Sequence, residues 1–138
     1  MKKQAITLLV LTMFALPGLA NAQLKKTMKA DVPFDFSVNG KTFNAGQCII
    51  ETAGDSMTIL TVKGGDQILM TMPNAADYGA PSATSAFVFH RYGDRYFLSG
   101  VKREGESRGW ELSEGKVEKE LRAKSNAVGD VTVIAAAN

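Results

Sequence analysis

Between residues 32 and 38 apolar and polar positions alternate, with Val32, Phe34, Phe36 and Val38 set against Pro33, Asp35 and Ser37. That is the period of a half-buried strand. Asn39 and Gly40 follow, a pair suited to a type I′ hairpin turn because both central residues need positive φ, so the chain is expected to reverse into Lys41, Thr42 and Phe43. Asn44, Ala45 and Gly46 predict a second turn. Residues 47–52, 57–62 and 67–72 then read as strands, punctuated by Gly54-Asp55 and by Gly64-Gly65-Asp66. Turn signals about every ten residues predict an antiparallel meander.

The rhythm breaks at residues 73–84, where Pro73, Asp77, Gly79 and Pro81 surround a single aromatic, Tyr78. Hairpin loops usually take about 2–5 residues, so this segment is expected to be a long functional or mobile loop. Residues 85–91 and 95–102 form the most aromatic hairpin, around Gly93 and Asp94. A two-residue II′ turn there sets Arg91 opposite Tyr96 and Tyr92 opposite Arg95, so each arginine faces a tyrosine. Phe87, Phe89 and Leu98 are expected on one face, and Val88, His90, Phe97 and Val101 on the other. A polar, glycine-bearing stretch runs through residues 103–109 to the single tryptophan, Trp110.

One helix is expected, near residues 113–123, with Ser113 as a cap, a narrow apolar stripe of Val117 and Leu121, and Glu118–Arg122 and Glu120–Lys124 pairs in the favourable order. Residues 128–136 return as a last strand. The fold expectation is a mainly antiparallel β domain, a small barrel or sandwich of about seven or eight strands with one C-terminal surface helix.

The first residues carry a different pattern. Lys2 and Lys3 precede an apolar run from Ala5 to Leu16, then Pro17-Gly18 and the small-x-small site Ala20-Asn21-Ala22. This is the layout of a Sec-type signal peptide cleaved after Ala22, leaving residues 23–138 as one domain in the periplasm or medium. The run is short for the ~20 residues a spanning helix needs, so no stable membrane insertion is expected after cleavage. Of the 16 Lys and Arg, Lys2 and Lys3 leave with the leader, and the remainder balance the 14 Asp and Glu. A neutral mature chain offers no field for nucleic acid. At 45% hydrophobic and 22% charged, the composition is that of a globular domain rather than a disordered one.

Candidate chemistry is sparse. Cys48 is the single cysteine, so an internal disulfide or a two-thiol motif is excluded, and the residue is expected to be a small buried side chain; its alternative use is a disulfide-linked dimer. His90 is the single histidine, which excludes a poly-histidine metal cluster and leaves a structural histidine as the favoured reading over catalysis with Asp94. No metal and no cofactor are expected. The binding candidates are His90, Arg91, Tyr92, Asp94, Arg95 and Tyr96 at the hairpin, with a small-anion site at its tip as an alternative to arginine–tyrosine stacking, together with Trp110 and Tyr78.

Val32-Pro33-Phe34-Asp35-Phe36-Ser37-Val38-Asn39-Gly40-Lys41, followed by Ala45-Gly46, and Phe89-His90-Arg91-Tyr92-Gly93-Asp94-Arg95-Tyr96-Phe97-Leu98 together resemble a group of small exported proteins, numerous in acidobacterial genomes, with no established function. The likeness covers most of the mature chain and includes Glu118-Lys119-Glu120-Leu121. In that group the second turn commonly reads Leu-Pro-Ala-Gly, where this chain has Phe43-Asn44-Ala45-Gly46. The resemblance implies export and an all-β fold, and carries over no catalytic or binding residue. The expected function is therefore an exported, non-enzymatic envelope or secreted module that binds an envelope component or surface. Two alternatives stand beside it: a barrel carrying a small apolar ligand, lined by Met57, Met70, Met72 and phenylalanines, and an enzyme using His90.

Overall fold

In the computed structural model, residues 26–53, 58–126 and 129–137 are described. The expected leader with its cleavage point, and Met57, lie outside them. Among the described residues the chain forms β1 (Lys26–Val32), β2 (Phe36–Val38), β3 (Lys41–Phe43), β4 (Gly46–Ala53), β5 (Ile59–Gly64), β6 (Gln67–Thr71), β7 (Asn74–Asp77), β8 (Ser85–Tyr92), β9 (Arg95–Lys102), β10 (Arg108–Glu111), α1 (Lys116–Ser125) and β11 (Asp130–Ala136). Four strands make one sheet in the order β1-β4-β5-β6. Seven make the other, in the order β11-β8-β9-β10-β7 with β2 and β3 attached through a parallel β2–β9 pairing.

The sheets meet at one edge, where Lys29 and Ala137 exchange backbone hydrogen bonds of 2.8 Å in each direction. On another side the β2–β3 turn reaches the first sheet through side chains only, Lys41 Nζ donating to the Ile68 carbonyl and Asn39 Nδ2 to Thr71 Oγ1, each at 2.9 Å. The ladder does not close into a barrel. The fold is a mainly antiparallel β-sandwich with one helix near the C-terminus.

Alternation decides which side chains fill the space between the sheets. Met28, Ala30 and Val32 of β1, Cys48 and Ile50 of β4, and Leu60 and Val62 of β5 meet Phe36, Val38, Phe43, Phe87, Phe89, Leu98 and Val101 in one buried cluster. Its aromatic centre is interlocked: Phe89 lies edge-on to Phe34 and Phe36, with centroids 5.0 and 5.2 Å away, and Phe36 stacks on Phe43 at 5.3 Å. Cys48 is 1% exposed, as expected of a small buried side chain.

Both hairpin turns form as the residues dictate. Asn39 and Gly40 take φ of 48° and 81°, and Gly93 takes 64°. Other expectations are corrected. The alternation at 32–38 spans two strands, because Pro33 has no N–H for a ladder and the chain breaks between β1 and β2, where Asp35 Oδ1 accepts from the Ala45 N–H at 2.7 Å. Residues 73–84 are not one long loop: β7 forms inside them and pairs with β10, a strand lying within the stretch expected to be polar and irregular. These three additions raise the strand count from the expected seven or eight to eleven.

Val101 also changes side. Phe89 pairs with Leu98 but Val88 pairs with Gly100, so Ser99 is an extra residue in β9. A bulge of this kind reverses the alternation beyond it. Val101 therefore lies opposite Phe87 in the core instead of beside His90.

Candidate functional site

His90 leaves β8 on the face of the second sheet that points away from the core, beside its cross-strand neighbour Phe97. Helix α1 lies over that face. It begins at Lys116 with Gly115 at the cap position and no side-chain cap, and ends at Asn126 in the left-handed region with φ 53°. Ser113, the expected cap, instead accepts a 3.4 Å hydrogen bond from Asn74 Nδ2. The expected apolar stripe is weak as well: Val117 is 38% exposed, and the buried residue of the helix is Glu118, at 4%.

Glu118 Oε1 lies 3.1 Å from His90 Nδ1. Burial pushes the Glu118 carboxyl above the ordinary glutamate range; the hydrogen bond and charge of His90 oppose this, the charge of Glu114 adds to it, and that of Arg122 opposes it. Arg122 does not pair with Glu118 as its i,i+4 spacing suggested. Its Nη1 reaches Glu114 Oε1 at 3.0 Å, since Glu118 has turned under the helix. His90, Glu114 and Glu118 thus bring one imidazole nitrogen and two carboxylate oxygens within 4.8 Å of one another.

Beside this cluster a cleft of about 310 Å³ opens between α1 and the β2–β3 hairpin. Ser37 and Thr42 line one wall, Lys116 and Glu118 the other, and Arg95 and Phe97 the base. Hydroxyls, two cationic side chains and a carboxylate can all present to a small polar molecule against an apolar floor. The hairpin wall is fixed by the β2–β3 and β2–β9 pairings, and Gly115, just before the helical wall, passes close to the Asn39–Gly40 backbone.

The hairpin candidates divide around this place. Arg91 holds its own turn, Nε donating to the Gly93 carbonyl at 2.6 Å, and its guanidinium carbon is 5.9 Å from the centre of the Tyr96 ring, as expected. Arg95 departs from expectation: its guanidinium carbon lies 5.7 Å from the centre of Phe97, two residues along its own strand, rather than against Tyr92. Tyr92 sits edge-on to Phe97, and its hydroxyl is buried without a hydrogen-bond partner among the described residues. Tyr96 stacks on Phe34 at 3.7 Å. Asp94 is exposed at the turn, and the carboxylate facing His90 is Glu118 instead.

Tyr78 and Trp110 are brought to each other, at the β7–β10 ladder. Tyr78 Oη donates to the Trp110 carbonyl at 3.1 Å, Lys102 Nζ lies 4.6 Å above the tyrosine ring, and Gly100 and Gly109 leave room for it. Met70 and Met72, expected to line an interior, are 68% and 61% exposed; Met70 pairs with Thr61, on the face of β5 opposite to Leu60 and Val62.

Sequence reasoning missed Glu114, Glu118 and Arg122 as site residues. The available signal was a shortage: a stripe of two apolar residues is narrow for a ten-residue helix, which leaves room for a polar residue to make the contact with the sheet. No protein-family model, curated protein or solved structure matches the chain. Among the described residues no helix is long and apolar enough to cross a membrane.

Proposed function

We propose that this protein is an exported, non-enzymatic binding module that takes a small polar ligand in the cleft between α1 and the β2–β3 hairpin. The observation that carries the reading is the make-up of the cleft, in which Arg95, Lys116, Ser37, Thr42 and Glu118 face a space of about 310 Å³ over Phe97. Pockets with a few convergent polar groups on a partly apolar wall, at the low end of the usual ~300–1,000 Å³, suit small metabolites. Export rests on Lys2, Lys3, the apolar run and Ala20-Asn21-Ala22, which direct the module to the periplasm or the medium.

An apolar carrier is less well supported, since Met70 and Met72 face outward and the space between the sheets is filled by phenylalanines. Catalysis by His90 is less well supported too, since its hydrogen bond goes to the Glu118 carboxylate that anchors the helix rather than to a hydroxyl or thiol that it could activate. Native mass spectrometry on protein recovered from its own host tests the reading. Extra mass that is lost on denaturation, and absent from an Arg95→Ala variant, is the expected result. A bare polypeptide mass overturns it and directs attention to a macromolecular partner. An N-terminus at Gln23 in the recovered protein is the expected sign of export.

A further inference from the structure

The convergence of His90, Glu114 and Glu118 has a use that goes beyond the cleft. Their donor atoms lie within 4.8 Å of one another, and two of them, His90 Nδ1 and Glu118 Oε1, are 3.1 Å apart. A first-row divalent ion bonded to nitrogen and oxygen at about 2.0–2.2 Å holds neighbouring ligand atoms roughly 3.0–3.6 Å apart. One pair already has that spacing. Glu114 has its donor oxygen within 4.8 Å of the other two, and it belongs to the short stretch between β10 and α1 that is neither strand nor helix.

Burial argues in the same direction. Glu118 is 4% exposed, yet its hydrogen-bond partner is an imidazole, not a lysine or arginine. A carboxylate out of water is costly unless a cation compensates it. The cleft is lined by Glu118 but by neither His90 nor Glu114, so an ion on the three donors would meet the cleft on its Glu118 side. The donor set, one imidazole nitrogen and two carboxylate oxygens with the Cys48 thiol confined to the core, suits borderline divalent ions rather than soft ones such as Cu(I).

We propose that His90, Glu114 and Glu118 form a three-ligand site for a divalent transition-metal ion of the zinc type, with its remaining position turned to the cleft. The ion takes the place of the proton in the His90 Nδ1–Glu118 Oε1 hydrogen bond; the bound imidazole is neutral with its proton on Nε2, both carboxylates are ionised, and any proton in excess of that leaves to solvent. Arg122 is the competing cation. Its Nη1 holds Glu114 Oε1 at 3.0 Å and so competes with the ion for that carboxylate.

The test titrates Zn²⁺ into the full chain as its host processes it, by calorimetry, with Co²⁺ as a spectroscopic substitute whose visible bands report the coordination. One ion per chain is expected. His90→Gln and Glu114→Gln should each weaken binding at least tenfold, while Arg122→Gln should tighten it several-fold by freeing Glu114. Should His90→Gln fail to fold, Glu114→Gln and Arg122→Gln decide between the outcomes, because neither side chain is fully buried and circular dichroism can verify their folds. Absence of binding to the native chain, indifference to Glu114→Gln, or weaker binding in Arg122→Gln would overturn the proposal. Zinc is titrated into chain free of organic ligand, so failure here is distinct from failure of the cleft reading.

Discussion

Glu118 Oε1 and His90 Nδ1 stand 3.1 Å apart, and Glu118 is the buried residue of a helix whose other residues are half-buried or exposed. The helix is therefore held to the sheet chiefly by a polar contact. Amphipathic surface helices normally dock through an apolar stripe three or four residues wide per two turns. Here Leu121 is half-buried and Val117 largely open, so docking depends on whether the imidazole and carboxylate stay matched.

Removing either partner should loosen the helix before the sandwich. His90→Ala leaves a buried carboxylate without its hydrogen bond, a change that typically costs about 1–3 kcal/mol. Hydrogen exchange should rise selectively across residues 116–125, while the β8–β9 ladder keeps its protection. Glu118→Gln retains an acceptor for the imidazole and should cost less. Uniform loss of protection throughout the domain would contradict this account.

Phe89 tests the sandwich itself. It is fully buried and lies edge-on to both Phe34 and Phe36, so truncation to alanine opens a void bounded by rings that cannot all close in. About 3–5 kcal/mol of destabilisation is expected, read from the midpoint of urea unfolding. A shift below about 1 kcal/mol would mean that the aromatic cluster is not the stabilising centre.

Local chemistry explains which features were legible in advance. Asn39-Gly40 and Gly93-Asp94 are turns by backbone preference alone, and the register they impose places Arg91 opposite Tyr96 as expected. The strands β7 and β10 depend on a pairing between residues far apart in sequence, and the bulge at Ser99 on how β8 and β9 fit across their hairpin, for which alternation carries no signal; the break at Pro33 had a local signal, the missing N–H of proline, which the alternation around it masked. The site divided along the same line. His90 stood out as the single histidine, but Glu118 looked like any solvent-facing glutamate, because its burial arises from the way the helix crosses β8 and not from anything within the helix.

Tyr78 should prove structural, although it sits in a stretch that looked like a binding loop. Its ring lies where Gly100 and Gly109 have no side chain, and a Cβ at Gly109 would collide with the Val101 carbonyl and press on the ring. Gly109→Ala is therefore expected to separate β10 from β9 and lower the thermal midpoint by several degrees, more than Tyr78→Phe, which removes one hydrogen bond worth about 1 kcal/mol. Burial first, and the charge of Glu111 second, push the Tyr78 phenol above its ordinary range. Alkaline difference spectra should accordingly show this tyrosine ionising late in the native protein. Ionisation together with free tyrosine would place it outside the β7–β10 ladder.

Cys48 links the core to pH. It lies in the ladder between Ala30 of β1 and Gly64 of β5, 1% exposed, and burial pushes its thiol from 9.0 to about 12. The neutral thiol is the form the fold accepts. Below pH 9 folded and unfolded chains both keep the proton, and this group's full contribution to stability is present. Between pH 9 and about 12 the unfolded chain loses the proton first, so stability falls as pH rises, with a slope of at most ~1.4 kcal/mol per pH unit from this one residue. Cys48→Ala should remove that part of the alkaline slope while leaving slopes due to lysine and tyrosine in place. The same burial keeps the thiolate from forming in the native state, so at about pH 8 a thiol reagent should label the folded protein only as fast as it unfolds, and the denatured protein at once. Rapid stoichiometric labelling of the native chain, or a disulfide-linked dimer isolated in its native fold, would show that β4 opens far more readily than its place between β1 and β5 implies.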